Sequence, residues 1–321
     1  MSDTQFNKIP LKWNSERKEF VIIGAGFAGM TCALYLARAG KKVTLFGDWA
    51  GSSIVSSPAV ENFPGAGKTD GASILYSLFS QISEEENITL IQEEVKELEF
   101  LIAHSAFGIY LDGQSFLSPH VIIATGRTPK TLNIEGEKEL LGNGRLSTCA
   151  YCDGSLFKDQ KIAIIGGGTS AIEEAIYLSA ICSEVEILVR KNRLQSKELQ
   201  AKILPYLDKN VKILFETELK SLKQSEDGAS IIATDKNGKE HEWNGLFYAI
   251  GSIPNTDFIK INGICTKEGY VKTFNGMVWD NQRDHYSLAV CGDVSVRTQY
   301  KQAVVACADG ASVALEMLKH L

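Results

Sequence analysis

One pattern occurs twice in this chain. Residues 18–46, KEFVIIGAGFAGMTCALYLARAGKKVTLF, are echoed by residues 160–189, QKIAIIGGGTSAIEEAIYLSAICSEVEILV. In each copy a β-branched run enters a glycine-rich turn. Apolar and small residues then recur at helical spacing, over 28–39 and again over 171–181, and a second β-branched run closes the segment. Each copy therefore reads as a βαβ unit, strand, turn, helix and strand, in a doubly wound sheet. The fold class expected is α/β, with two Rossmann-like three-layer nucleotide-binding domains, the second inserted into the first.

The remainder fits around these units. A third apolar strand, HVIIATG, occupies 120–126, and strand patterns KILFET, SIIATD and GLFY follow the second unit, with a turn at Lys236-Asn237-Gly238. The strand ends ATG (124–126) and AIGSIPNT (249–256) both run into proline-containing segments, where a chain often leaves a domain. The crossings placed there give a first domain of 1–127 and 255–321 and an inserted domain of 128–254. A chain of 321 residues suits two such bodies.

The formal charge of −6 argues against a nucleic-acid partner, because phosphate binding needs a basic face. The longest apolar runs, such as 21–23 and 162–165, are strand-sized, which argues against a membrane span. The N-terminal segment scatters charges and lacks an apolar signal core, so a cytoplasmic location is expected.

The first glycine turn, Gly24-Ala25-Gly26-Phe27-Ala28-Gly29, is a complete GxGxxG between a strand and a helix. Its first glycine permits the tight turn, the second admits a pyrophosphate against the backbone, and the third lets helix and strand pack closely. The acid that usually holds the ribose is displaced by one position, to Asp48. In the second turn Gly166, Gly168, Thr169 and Ser170 occupy the corresponding places, and Ala171 replaces the last glycine. Basic residues, Arg190 and Lys191 foremost, follow the next strand where an NAD site has a carboxylate. A cation there suits a 2′-phosphate, hence NADPH.

Of seven cysteines, Cys32, Cys182, Cys265, Cys291 and Cys307 stand alone in apolar or helical patterns and are expected to be buried thiols. Cys149 and Cys152 form a CxxC. Zinc needs further ligands of comparable spacing, and neither a second CxxC nor a paired histidine motif is present, so no metal is expected. Two thiols three positions apart can close a small disulfide, and Asp153 beside them can give a proton to a leaving thiolate.

With these motifs in hand, the chain resembles the low-molecular-weight thioredoxin reductases from about residue 19 to 316. GAGFAG (24–29), VENFPG (60–65), ATG (124–126), CAYCDG (149–154), GGGTSAIEEA (166–175), AIGSIPNT (249–256), GDV (292–294) and YKQA (300–303) match in order. The resemblance implies FAD held by Gly24, Gly26 and Gly29, by Asn62, by Thr125 and Gly126, and by Gly292, Asp293, Gln302 and Ala303. It implies that Cys152 reacts with the flavin, that Cys149 forms the mixed disulfide with thioredoxin or a thioredoxin-like protein, and that Asp153 is the proton donor. It also implies a homodimer whose inserted domain rotates.

The chain departs from that family in four places. The NADPH signature HRRxxxR reads Val189-Arg190-Lys191 followed by Gln195, which loses charge at the 2′-phosphate. The flavin loop GGQL reads Gly51-Ser52-Ser53-Ile54. The loop from Asp293 to Gln302 is one residue longer and carries Lys301 for arginine. An extension containing Trp13 precedes the first strand. Three readings stay open on these residues: an NADPH-dependent thioredoxin reductase; a nicotinamide-independent disulfide reductase fed by ferredoxin or by a second FAD; and a ferredoxin:NADP oxidoreductase or non-catalytic flavoprotein. The intact CxxC weighs against the last.

Overall fold

The computed structural model describes residues 16–141, 143–283 and 285–319. The extension around Trp13 lies outside the described residues. Contacts divide the chain into two compact units. One holds the described residues up to Val55, Ala72–Thr128 and those from Ile253 onward; the other holds Ser56–Gly71 and Pro129–Ser252. The chain passes between them at 55/56, 71/72, 128/129 and 252/253, and the short strands Arg127–Pro129 and Ser252–Pro254, at the last two crossings, pair as a ribbon.

The first unit is built on a six-stranded sheet in the order Met277–Asn281, Tyr286–Val290, His120–Ile123, Phe20–Ile23, Val43–Phe46 and Ile88–Ile91. All neighbours run parallel except the outermost pair, 277–281 with 286–290. Phe20 stands opposite both Val43 and His120, so the strands share one register. Side chains alternate across a sheet, and here Val21, Ile23, Val121, Ile123, Leu288 and Val290 all point to one face. They pack on Phe107, Ile109 and Phe116 of an antiparallel sheet, Glu97–Leu101, Ala106–Tyr110 and Ser115–Ser118. The intervening Phe20 and Ile22, fully buried, serve the other face, over which helices Phe27–Arg38 and Ala303–Lys319 lie against each other.

The second unit repeats the plan. Its parallel sheet has the order Val211–Phe215, Glu184–Val189, Lys161–Ile165, Gly245–Tyr248 and Leu146–Ser147. Ile162, Ile164, Val185, Ile187 and Val211 face helices Thr169–Ser179 and Lys197–Leu207 through Ile172, Ala175, Leu178, Leu199 and Ile203. The alternate residues Ala163, Leu188, Leu246 and Tyr248 face an antiparallel sheet, Leu219–Gln224, Ile231–Asp235 and Glu240–Trp243. Helix, parallel sheet and antiparallel sheet make three layers in each unit. A buried carboxylate, Glu186, is satisfied by Trp243 Nε1 at 2.7 Å and Lys161 Nζ at 3.1 Å, as a charge removed from water must be.

The two glycine-turn helices run over 27–38 and 169–179, within two residues of the expected spans. The strands read from KILFET, SIIATD and GLFY form at 211–215, 231–235 and 245–248. One expectation is corrected. Cys32, Cys182 and Cys291 are buried, but Cys265 and Cys307 are only partly so. Cys265 lies in an irregular stretch tied by a single bridge to Val271, and Cys307 occupies the opening turns of the C-terminal helix. No helix of the described residues is long and apolar enough to cross a membrane.

A Cβ on Gly310 would lie 2.2 Å from the Ala28 carbonyl oxygen, so the two helices of the first unit meet backbone to backbone. Gly310→Ala is expected to destabilise the protein by about 2 kcal/mol through overpacking, read as a lowered denaturation midpoint in urea.

Candidate redox and nucleotide sites

Cys149 and Cys152 are joined as a disulfide with Cα atoms 5.3 Å apart, an ordinary span for such a bond. The turn that holds them begins at Ser147, the last residue of the edge strand, whose pairing with Phe247 fixes its backbone. The Cys149 carbonyl accepts from the N–H groups of Cys152 and Asp153, each at 3.1 Å, and starts the short helix Ala150–Asp153. Behind it, a Cβ on Gly154 would stand 2.5 Å from the Leu178 side chain, and the Tyr151 and Tyr177 rings lie 4.7 Å apart. The disulfide turn is thus pressed onto the helix that follows the second glycine turn.

Asp153 is the chemically distinctive neighbour. Its Oδ2 accepts from the Ser147 hydroxyl at 2.6 Å, and Oδ1 is buried with no hydrogen-bond partner among the described residues. Burial pushes its carboxyl above the usual carboxylate range, and the Ser147 hydrogen bond partly offsets that rise. A carboxyl next in sequence to Cys152 that keeps its proton longer than usual is suited to act as an acid.

In the first unit the GxGxxG turn is forced by close approach. Gly24 has φ +115°, and a Cβ there would lie 2.3 Å from the Ala124 carbonyl oxygen; one on Gly29 would lie 1.9 Å from the Gly24 oxygen. Over Gly26, in contrast, the nearest atom to such a Cβ is Ser52 Oγ at 3.7 Å. Space is left where a phosphate is expected, at the N-terminus of a twelve-residue helix. The ATG turn is locked by Asn255: the Thr125 hydroxyl donates to the Asn255 carbonyl at 2.6 Å, and Asn255 Nδ2 donates to the Thr125 carbonyl at 2.9 Å.

Gly292-Asp293 meets this turn from the other side, with a Cβ on Gly292 reaching 2.8 Å from that of Ala28. Asp293 Oδ2 lies 3.3 Å from Arg127 Nε, and Lys301 Nζ donates to the carbonyls of Asp293 and Ser295 at 2.9 and 3.2 Å. Burial raises the Asp293 carboxyl, and the positive charges of Arg127 and Lys301 hold that rise in check. Its Oδ1 is buried and has no partner among the described residues.

The second glycine turn is arranged differently. Gly166 comes against the Ala249 carbonyl as Gly24 does against Ala124. The loop after Val189 folds back, so that the Gln195 N–H donates to the Gly167 carbonyl at 3.0 Å. Gln195 Oε1 lies 2.9 Å from where a Cβ on Gly168 would be. Arg190, Lys191 and Arg193 are exposed beside it.

A model of the pyridine nucleotide-disulphide oxidoreductases matches residues 18–310. The chain belongs to that family. Thioredoxin reductase from Yarrowia lipolytica is 33% identical over 319 residues, 94% of this chain and 97% of that protein. The mitochondrial thioredoxin reductase 2 of Saccharomyces cerevisiae is 32% identical over 94% of this chain and 90% of its own length. Among solved structures, thioredoxin reductase from Streptococcus pyogenes superposes with a TM-score of 0.84 at 27% identity, covering 96% of this chain and 99% of that one. The enzyme from Giardia duodenalis gives 0.82 at 28%, covering 95% and 99%. This member of the pyridine nucleotide-disulphide oxidoreductases is a thioredoxin reductase-like, flavin-dependent disulfide oxidoreductase. The nicotinamide-independent, ferredoxin:NADP and non-catalytic alternatives are not favoured, since the matched relatives carry the thioredoxin reductase name. The family's chemistry in general uses FAD and a nicotinamide dinucleotide.

The first unit's residues fit a flavin dinucleotide on two observations: the open space over Gly26 and the orphaned Oδ1 of Asp293. Gly24, Gly26, Gly29, Thr125, Gly126, Gly292, Asp293, Gln302 and Ala303 all fall in that unit, whereas Asn62 falls in the unit that carries the disulfide. Asp48, the displaced acid, accepts from the Ala50 N–H at 2.9 Å and so caps its own turn.

Ser147, Asn255 and Asp309 were not singled out from the sequence. Asp309 is buried, with Oδ2 accepting from the Gly292 N–H at 2.7 Å and lying 3.2 Å from the Thr298 hydroxyl, and Oδ1 lying 3.5 Å from Arg297 Nε. A lone acid within the small and apolar run AVVACADGASVAL was the available signal. Asp309→Ala leaves a buried N–H unmatched and is expected to cost about 1–3 kcal/mol. A lowered melting temperature together with a smaller flavin content of the purified protein checks it.

Proposed function

We propose that this chain transfers electrons from NADPH through FAD to the Cys149–Cys152 disulfide and on to a thioredoxin-like protein. The observation that carries the reading is the bonded pair beside Asp153, an acid whose burial preserves its proton. The backbone N–H groups around Gly26 and the N-terminus of helix Phe27–Arg38 would hold the pyrophosphate of FAD, and Asp293, whose Oδ1 is buried without a partner among the described residues, would hold another polar part of it. Thr125, Gly126, Gln302 and Ala303 would complete the part of that site that lies in the first unit. When bound, the flavin supplies the electron pair that opens the disulfide.

The protein's own groups do the rest. Cys149, as thiolate, attacks the partner's disulfide; Cys152 then displaces the partner from Cys149; Asp153 gives a proton to a departing sulfur. Gly166, Gly168, Thr169 and Ser170 would receive the dinucleotide at the N-terminus of helix Thr169–Ser179, and the exposed Arg190 and Lys191 would supply positive charge for its 2′-phosphate. A homodimer in a cytoplasmic, reducing compartment, with the inserted domain turning between its two tasks, completes the proposal.

Anaerobic titration with NADPH tests the donor. One flavin per chain, bleached by about one equivalent of NADPH, is expected; bleaching by dithionite but not by NADPH contradicts the reading. Cys149→Ser is expected to lose reduction of a thioredoxin-like disulfide while its flavin still bleaches with NADPH, as followed by thiol release.

Gln195 stands where a cation strengthens 2′-phosphate binding, and its amide carries no charge. Gln195→Arg is expected to lower KM for NADPH about tenfold, with little effect on KM for NADH, a shift within reach of one charge-assisted hydrogen bond of about 1.5–3 kcal/mol. Parallel steady-state kinetics with the two nucleotides measure it.

A further inference from the structure

The Ser147 hydroxyl links the first cysteine to the acid. The Cys149 N–H donates to Ser147 Oγ at 3.0 Å. Oγ lies 2.6 Å from Asp153 Oδ2 and 3.4 Å from the Cys149 carbonyl oxygen. A hydroxyl has one hydrogen to give, so those two oxygens compete for it, and the shorter contact favours Oδ2. Oδ1 is buried and without a partner among the described residues. With Oδ2 accepting, the acid's own proton belongs on Oδ1.

We propose that Ser147 is a positioning residue for proton transfer: by donating to Oδ2 it confines the Asp153 proton to Oδ1 and keeps it transferable to a departing thiolate. This rests on the reading of Asp153 as the proton donor. The Cys149 thiolate forms a bond to one sulfur of a partner disulfide, the partner's S–S bond breaks, and its electron pair leaves on the second sulfur. That sulfur takes the proton from Oδ1, and Asp153 becomes a carboxylate. Without the Ser147 hydroxyl the two carboxyl oxygens no longer differ, and the proton has no assigned place.

Two consequences separate this role from a merely structural one. An alkyl thiolate is strongly basic and needs the proton as it departs, whereas an aryl thiolate of low pKa leaves readily without it. Burial raises the Asp153 carboxyl and the Ser147 hydroxyl lowers it, and no charged side chain among the described residues contributes to the shift. Loss of the hydroxyl leaves burial unopposed, so the carboxyl holds its proton to higher pH.

The test uses the purified protein, reduced with a phosphine, freed of reductant and mixed anaerobically with cystamine or with 5,5′-dithiobis(2-nitrobenzoate). Reclosure of Cys149–Cys152 is followed by quenching, alkylation and mass spectrometry, a readout that needs no nicotinamide and no flavin signal. Cys149 is partly exposed and open to such probes. Ser147→Ala is expected to lower the ratio of cystamine to aryl-disulfide rates about tenfold and to move the alkaline limb of the cystamine rate upward in pH, with Ser147→Thr restoring both.

An unchanged ratio in Ser147→Ala, when Asp153→Asn lowers it, overturns the role of Ser147 and leaves the acid standing. An unchanged ratio in both variants overturns the acid as well. Equal loss of both rates in Ser147→Ala reduces Ser147 to a structural part and also overturns the proposal. Ser147→Gly supplies the same ratio should the alanine variant fail to fold.

Discussion

Backbone contact without intervening side chains is the constraint on which the first unit depends. At the end of strand Phe20–Ile23, Gly24 touches the Ala124 carbonyl, Gly29 touches Gly24, and Gly310 touches Ala28. Three segments distant in sequence are brought within van der Waals contact at one strand end, and each approach requires the absence of a Cβ. From that junction follow the helix directed from Gly26, the position of Gly292-Asp293 over Ala28, and the seating of the C-terminal helix with its buried Asp309. The same device appears in the second unit at Gly166 and Ala249, which places its dinucleotide turn and, across helix Thr169–Ser179, its disulfide.

The disulfide station is built with rigid neighbours and one soft element, a proton. Ser147 is held by sheet pairing, Gly154 by the Leu178 side chain, and Tyr151 by Tyr177. A cysteine pair can exchange electrons anywhere it is reachable; burial holds the Asp153 carboxyl protonated to higher pH than an ordinary carboxyl, the property that the proposed proton donor needs. Asp293, whose Oδ1 is also buried, is treated differently: Arg127 and Lys301 stand beside it and oppose its protonation. Two carboxyls raised by the same cause thus differ in what opposes it, a hydroxyl at Asp153 and two cations at Asp293.

Much of the scaffold was legible because glycine turns and hydrophobic periodicity are local signals. The βαβ repeats, the helices after Gly26 and Gly168, and the strands beginning at Val211, Ile231 and Gly245 came from patterns within a few residues of themselves. The CxxC was legible for the same reason, and the structure joins the pair that its spacing allows to bond. What was not legible depends on distant partners. Nothing local marks Ser56–Gly71, with Asn62, as lying in the disulfide-bearing unit. Nothing local says that Asp48 spends its carboxylate on Ala50, that Gln195 folds onto the second glycine turn, or that Asp309 reaches Gly292. Cys265 and Cys307 have the apolar sequence neighbours of core thiols, but neighbours in sequence are not neighbours in space, and both are only partly buried.

On the proposed function, reducing equivalents that enter as NADPH emerge at Cys149 and Cys152 and at no other thiol. Differential alkylation decides it: the native protein is labelled with one isotopic reagent, treated anaerobically with NADPH, labelled with a second, and mapped by mass spectrometry. The account predicts that the second label appears on Cys149 and Cys152 alone. Second label on Cys32, Cys182, Cys265, Cys291 or Cys307, or none on the Cys149–Cys152 peptide while the flavin bleaches, contradicts it.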